Sequence, residues 1–305
     1  MHARNALAEA REIAGPDAWV LEPSPPSVLD AFFADDPVTA GTLDWVAWVA
    51  VHEEQAGWAA DRWLAGWRPL KAAPPRLAET RLALHRLAFY VVAPARKRVN
   101  TRFGLRWTLG GFGTPFFGDD EQVRVSGADV VVQRGDAADS RPITTLADAA
   151  AFLLDGPPEV AWGSGFDVPG AGDVDAPLPV DAGAAAFLGD WFGFAWSVLE
   201  ELRSDAESVD AGRVQLWPEH FDAAVECLRD DRRAVFGASP GDDTASAEPY
   251  VYVSSPRVQA VPGELWNATT FPGAILPLTS FIDSADQRGA VLDFFRTRRA
   301  ALAAS

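Results

Sequence analysis

The chain has 305 residues, of which 48% are hydrophobic and 23% charged, enough apolar content to bury a core and too little charge for a disordered acidic chain. Its net charge of -17 repels phosphodiester backbones and anionic lipid surfaces, which argues against nucleic-acid and membrane partners. One cysteine, Cys227, leaves no internal disulfide, and the opening MHARNALAEAREIAG carries acids where a secretory signal needs an apolar run, so a soluble cytoplasmic protein is expected.

The first predicted element is TLDWVAWVAVHEEQAGWAADRWLAGW, a helix opened by a cap at Thr42. Trp45, Trp48, His52, Ala56, Ala59, Trp63 and Trp67 recur along it at helical spacing and share one face. A second helix is predicted over roughly Ala78 to Val92, aligning Leu82, His85, Phe89 and Val92, with Pro94 and Arg96 marking its end. The strand-like FGLRWTL, EQVRVSG and ADVVVQR follow, with GGFGTPFFGDD as a Gly-rich turn between the first two, and a short helix over Leu146 to Leu154 closes this half.

From Asp155 to Gly183 the chain is crowded with Pro and Gly and reads as a connection: a linker, or a covering segment pinned by Trp162 and Phe166. The domain reading is therefore an N-terminal half over 1–155, a connection over 156–183 and a C-terminal half over 184–305. No internal repeat recurs at a fixed period. The second half opens with AAAFLGDWFGFAWSVLEELRSD, a helix apolar on most sides and so buried. GRVQLW, FDAAVEC, RRAVFGA and PYVYVSS then read as an antiparallel meander, and SADQRGAVLDFFRTRRAALAA as a last helix with Ser284 and Gln287 spaced as a capping box. The fold class is α+β: N-terminal helices with a small antiparallel sheet, then a buried helix, an antiparallel meander and a C-terminal helix.

Chemistry concentrates in VQLWPEHFDAAVEC, Val214 to Cys227. As a strand it would be broken into two arms at Pro218; the rival is a helix starting there. In either geometry His220 has Glu219 or Asp222 beside it, and a carboxylate next to an imidazole raises its pKa and fixes its tautomer, as a general base requires. His220, Asp222 and Glu219 are the candidate catalytic residues, set against a plainer reading in which the acids solvate a turn. Other motifs fall short. GASPG matches G-x-S-x-G around Ser239, but no helix follows and no histidine lies beyond His220. HEEQA at His52 has Ala56 where a zinc-protease helix needs its second histidine, and GGFGTPFF has Phe116 in place of a third dinucleotide-loop glycine. No metal or cofactor is expected. Asp242, Asp243 and Glu248 form only a loose acidic loop.

The candidate ligand-binding residues are Trp217, Tyr250, Tyr252, Trp266 and Trp107 as aromatic walls, His85 as a polar neighbour, and Arg106 beyond the basic run RKRVNTR as a partner for an anionic group. The blocks LWPEHFDAAVE, VFGASPGDD, AEPYVYVSS, LWNATTFPGA and ADQRGAVLDFFRTRR resemble, in order and spacing, a bacterial family of uncharacterised proteins from high-GC genomes. This resemblance covers about the last hundred residues, supports the meander and implies no activity. Two functions follow from the residues: a small-molecule binding protein with an aromatic-lined pocket, with acid-base catalysis by the His220 group, or a non-catalytic scaffold whose aromatic blocks are packing. Whether it is an enzyme, and in what oligomeric state, the residues leave open.

Overall fold

The computed structural model describes residues 67–304 apart from 109, 116, 119–120, 135–136, 229–231 and 261–263. The Trp stripe from Trp45 to Trp63, with His52, lies outside the described residues. Trp67 sits in irregular chain, its ring edge-on to Phe194 at 6.0 Å.

The second predicted helix is present as α1, Leu77–Leu87, but it does not stop at Pro94. It runs through a π-helical turn, Ala88–Val92, into α2, Ala93–Asn100. Proline removes one N–H and crowds the carbonyl four residues earlier, here that of Tyr90. The π turn absorbs the crowding, and the Tyr90 carbonyl accepts instead from the Glu159 N–H at 3.0 Å. Glu159 belongs to the Pro/Gly-rich connection, so one proline both extends a helix and anchors a distant segment. The connection is a covering segment: Trp162 stacks on Phe89 at 4.5 Å, Phe166 meets Phe89 edge-on at 5.4 Å, and Lys97 lies 4.5 Å over the Trp162 ring.

Two five-stranded antiparallel meanders follow the helices. The first comprises β1 Arg106–Thr108, β2 Gly111–Gly113, β3 Glu121–Ser126, β4 Asp129–Arg134 and β5 Ala137–Pro142, with α3, Leu146–Leu154, packed on β4. Two of these strands differ from expectation. GGFG contributes β2 as well as a turn, and the polar, exposed β5 shows no apolar alternation by which to recognise it. The second meander comprises β6 Gln215–Trp217, β7 Asp222–Cys227, β8 Ala234–Ser239, β9 Tyr250–Ser254 and β10 Gly273–Pro277. Its outer edge is blunted by Asn267, whose side-chain amide donates to the Ile275 carbonyl at 3.1 Å while its oxygen accepts from the Ile275 N–H at 2.9 Å, as a neighbouring strand would.

The buried helix is α4, Ala182–Ser204, started by Asp181, whose carboxylate accepts from the Ala184 N–H at 2.9 Å. Among the described residues it is the helix long and apolar enough to cross a membrane, yet most of it is buried in the fold. It packs on β1, β2 and β3 of one sheet and on β7 and β8 of the other. The last helix, α5, Gln287–Ala303, packs on β9 and is capped by Asp286, which accepts from the Gly289 N–H at 2.8 Å; Ser284 instead accepts from the Asp286 N–H. Arg288, Arg296 and Arg299 of α5 pair with Glu201 of α4 and with Asp205 just beyond its end, tying the two helices together.

The order of elements repeats: helix, five-strand meander, then a helix packed on the fourth strand. The two meanders meet through their first strands, antiparallel, where Leu105 and Leu216 exchange backbone hydrogen bonds at 2.9 and 2.8 Å. Each half also lays its first hairpin turn on the leading helix of the other. The β1–β2 turn reaches α4 at Gly189, where a Cβ would come within 2.7 Å of the Gly110 carbonyl carbon. The β6–β7 turn reaches α1 at His85. One of these two corresponding contacts is closed by glycine against glycine. The other is polar, and the chemistry lies there.

Candidate functional site at the second hairpin turn

The hairpin reverses through Pro218, Glu219, His220 and Phe221, so the segment is a strand broken into two arms at Pro218 and not a helix, the arms paired as Leu216 with Ala223 and Trp217 with Asp222. The Phe221 N–H returns to the Trp217 carbonyl at 2.7 Å, and Phe221 takes a φ of 54°. Positive φ in a bulky residue costs about 1–3 kcal/mol. Burial of its ring offsets that cost: Phe221 meets Phe112 edge-on at 5.1 Å and Phe192 at 5.3 Å, and stacks with His85 at 5.3 Å.

From α1, the His85 Nε2 donates to the Glu219 backbone carbonyl at 3.2 Å. Burial pushes the His85 pKa down to about 4, so the ring is neutral at physiological pH, with its proton on Nε2. Arg81, one turn earlier, donates to the Ala247 carbonyl at 3.3 Å and to Asp243 at 3.2 Å, fastening the β8–β9 loop to the same helix.

On the other side stands β9. The register pairs Ala224 with Gly237 and Gly237 with Tyr252. Since residue 237 has no side chain, the Tyr252 ring lies across β8; a Cβ there would come within 2.4 Å of the ring. The Tyr252 hydroxyl thereby crosses an intervening strand and donates to Asp222 Oδ2. Tyr250, its ring centroid 6.1 Å from that of Tyr252, donates to Asp242 Oδ2 at 2.5 Å, and Asp242 Oδ1 accepts from the N–H groups of Thr244 and Ala245.

Two carboxyl oxygens remain. Asp222 is 5% exposed and Glu219 8%, and Asp222 Oδ1 and Glu219 Oε2 have no hydrogen-bond partner among the described residues. An unmatched buried acceptor is costly, by about 1–3 kcal/mol, and native proteins seldom keep two within one turn without a use. Burial holds both carboxyls above the usual carboxylate range; the Asp222 charge adds to this at Glu219 and the Asp242 charge at Asp222, while His220 pulls both down. Burial also pushes the Tyr252 phenol far up, reinforced by Asp222. The arrangement is a buried carboxyl pair that gives up its protons less readily than exposed acids do, with a tyrosine donor at its back.

Of the residues expected at the site, Glu219, Asp222, Tyr250, Tyr252 and His85 converge here. His220 is exposed at the tip of the turn, and Trp217 is half-buried opposite Asp222. Trp107 and Arg106 belong instead to the contact with α4: Trp107 is buried against Gly193, and the Arg106 guanidinium lies 5.6 Å over the Trp196 ring. Trp266 is half-buried in the segment before β10, where the neighbouring Leu265 carbonyl accepts from Arg298 at 3.1 Å. Sequence reasoning missed Gly237, Asp242 and Arg81 as parts of this group. A glycine inside a strand opposite an aromatic was a readable signal for Gly237. Arg81 had none, because its partner Asp243 is 162 residues away. Ser239 takes a turn role, its Oγ accepting from the Gly241 N–H at 3.2 Å.

No three His, Cys, Asp or Glu side chains among the described residues are grouped to hold a metal ion. Comparison with protein-family models, curated proteins and solved structures returns no significant match.

Proposed function

We propose that the protein binds a small molecule at the Glu219–Asp222 turn, and that these two carboxyls carry any proton transfer there. The supporting observation is the pair of unmatched buried oxygens, Asp222 Oδ1 and Glu219 Oε2, behind which Tyr252 is already committed. A carboxyl whose pKa is raised by burial is better suited to act as a general acid, and a charged partner as a base. His220, exposed beside them, gives the proton a route to solvent. The acidic chain supports a cytoplasmic bacterial protein acting on metabolites rather than on nucleic acid or membrane. The test is native mass spectrometry and thermal-shift screening against a metabolite extract, with wild-type protein and Asp222→Asn in parallel. A ligand that is retained or stabilising in the wild type and lost in the variant supports the reading.

A second reading, a non-catalytic scaffold, is favoured by the packing of Trp107 and Arg106 beneath α4 instead of in a shared pocket. Under it, no extract component stabilises the protein.

A further inference from the structure

We infer that the ligand of this site carries a primary ammonium group, held between Asp222 Oδ1 and Glu219 Oε2. The inference rests on the binding reading above and names its ligand class. The polar side chains that reach this turn from neighbouring elements are committed as follows. From β9, the Tyr252 hydroxyl is spent on Asp222 and the Tyr250 hydroxyl on Asp242. From α1, His85 presents its Nε2 proton to a backbone carbonyl, and Arg81 is engaged by Asp243 and Ala247. From the β8–β9 loop, Asp242 adds negative charge, and His220 lies at the exposed tip. The site thus presents acceptors and negative potential, and what it lacks is a cationic donor. Two free oxygens fall short of the six to eight that calcium takes and of an octahedral magnesium shell. An ammonium, with three N–H donors, matches two carboxyl oxygens by charge-assisted hydrogen bonds.

The oxygens are shut from solvent, so the ligand enters when the turn lifts from α1, to which the His85–Glu219 bond and the His85–Phe221 stack hold it. Binding a cation favours the charged carboxyls, whereas burial in the empty site favours the protonated ones. Binding therefore expels protons and tightens as pH rises.

The experiment is calorimetry and thermal shift on the full chain with methylamine and n-butylamine hydrochlorides, against tetramethylammonium chloride and potassium chloride at equal ionic strength, at pH about 5.5 and about 8. The amines are expected to stabilise, the two control salts to do nothing, and the effect to grow with pH. Asp222→Asn and Glu219→Gln should each weaken binding by about tenfold or more. Should either variant fail to fold, the pH dependence in the wild type still decides. Equal shifts from tetramethylammonium, no shift from any amine, or a shift kept in folded variants overturns the inference. If the amines fail while the extract yields a neutral or anionic ligand lost in Asp222→Asn, the ammonium class falls and the site stands. If neither binds, both fall.

Discussion

Tyr252 and Asp222 are joined across a strand that neither belongs to: the phenol of β9 passes over Gly237 of β8 to donate to the first residue of β7. Ordinary cross-strand pairs link neighbours. This one skips a strand because residue 237 has no Cβ, and it delivers a side-chain donor to a buried carboxyl. Tyr252→Phe should remove the side-chain donor to Asp222 Oδ2 and cost about 1–3 kcal/mol, and the cost should shrink when Asp222 is already Asn. A double-mutant cycle by denaturant unfolding measures the coupling; a coupling near zero would contradict the bond.

Gly237→Ala tests the same geometry from below. A methyl group there would come within 2.4 Å of the Tyr252 ring, which must swing off β8 and abandon Asp222. Overpacking of this kind costs about 1–3 kcal/mol. Gly189→Ala is the matched case at the other hairpin turn: the added methyl would meet backbone at 2.7 Å, and the better helix propensity of alanine, about 1 kcal/mol, should not compensate. Both variants should melt lower than wild type, and only the first should impair ligand binding.

The titrations of His85 and of the carboxyl pair oppose each other. His85 falls from 6.5 to about 4 on folding, so its contribution is complete above pH 6.5 and is lost as pH drops toward 4. The carboxyls move up from ordinary values of 3.8 for Asp222 and 4.5 for Glu219, so the folded state holds their protons more tightly and stability is lost as pH rises through their folded values. His85→Gln should therefore flatten the acid side of the stability profile by on the order of 2 kcal/mol, and Asp222→Asn the side above pH 4. Urea unfolding at stepped pH separates the two, and a profile unchanged by both substitutions would refute the assignment.

Asp205 beyond the end of α4 is a stability site. It accepts from Arg296 at 2.8 Å and from the buried Arg299 at 2.9 Å; burial works against its charge, but these bonds prevail and hold its pKa below the usual range. A depressed carboxyl stabilises above its unfolded pKa and ceases to as pH falls through the folded one. Asp205→Asn should cost about 3 kcal/mol at neutral pH, because Arg299 keeps its burial and is left with only the exposed Glu207, 3.4 Å away, as counter-charge, and the difference from wild type should vanish in acid. Ligand binding should be unaffected.

Cys227 is fully buried in β7 opposite Ala234. Its thiol should label only as fast as the protein unfolds, so that denaturant and thiol reagent act on the same time course. Rapid labelling of folded protein would place it elsewhere.

Composition and period alone sufficed for the α+β class, the buried helix at AAAFLGDWFGFAWSVLEEL, the core of the second meander and the turn at Pro218, because burial of an apolar face imposes spacing and a sequence displays spacing directly. They also singled out Glu219, Asp222, Tyr250 and Tyr252, since polar and aromatic residues clustered at a turn are visible in a line of text. The limits are as physical. β5 is polar and exposed, so no alternation marked it. Pro94 suggested a helix end because the rescue of the Tyr90 carbonyl comes from Glu159, far along the chain. The repeat of helix, meander and helix left no periodic signal, for topology constrains which faces are buried and not which residues bury them. Above all, the bond from Tyr252 over Gly237 to Asp222, and the seat of that turn against His85, depend on register and on contacts between distant segments, and only the folded chain decides those.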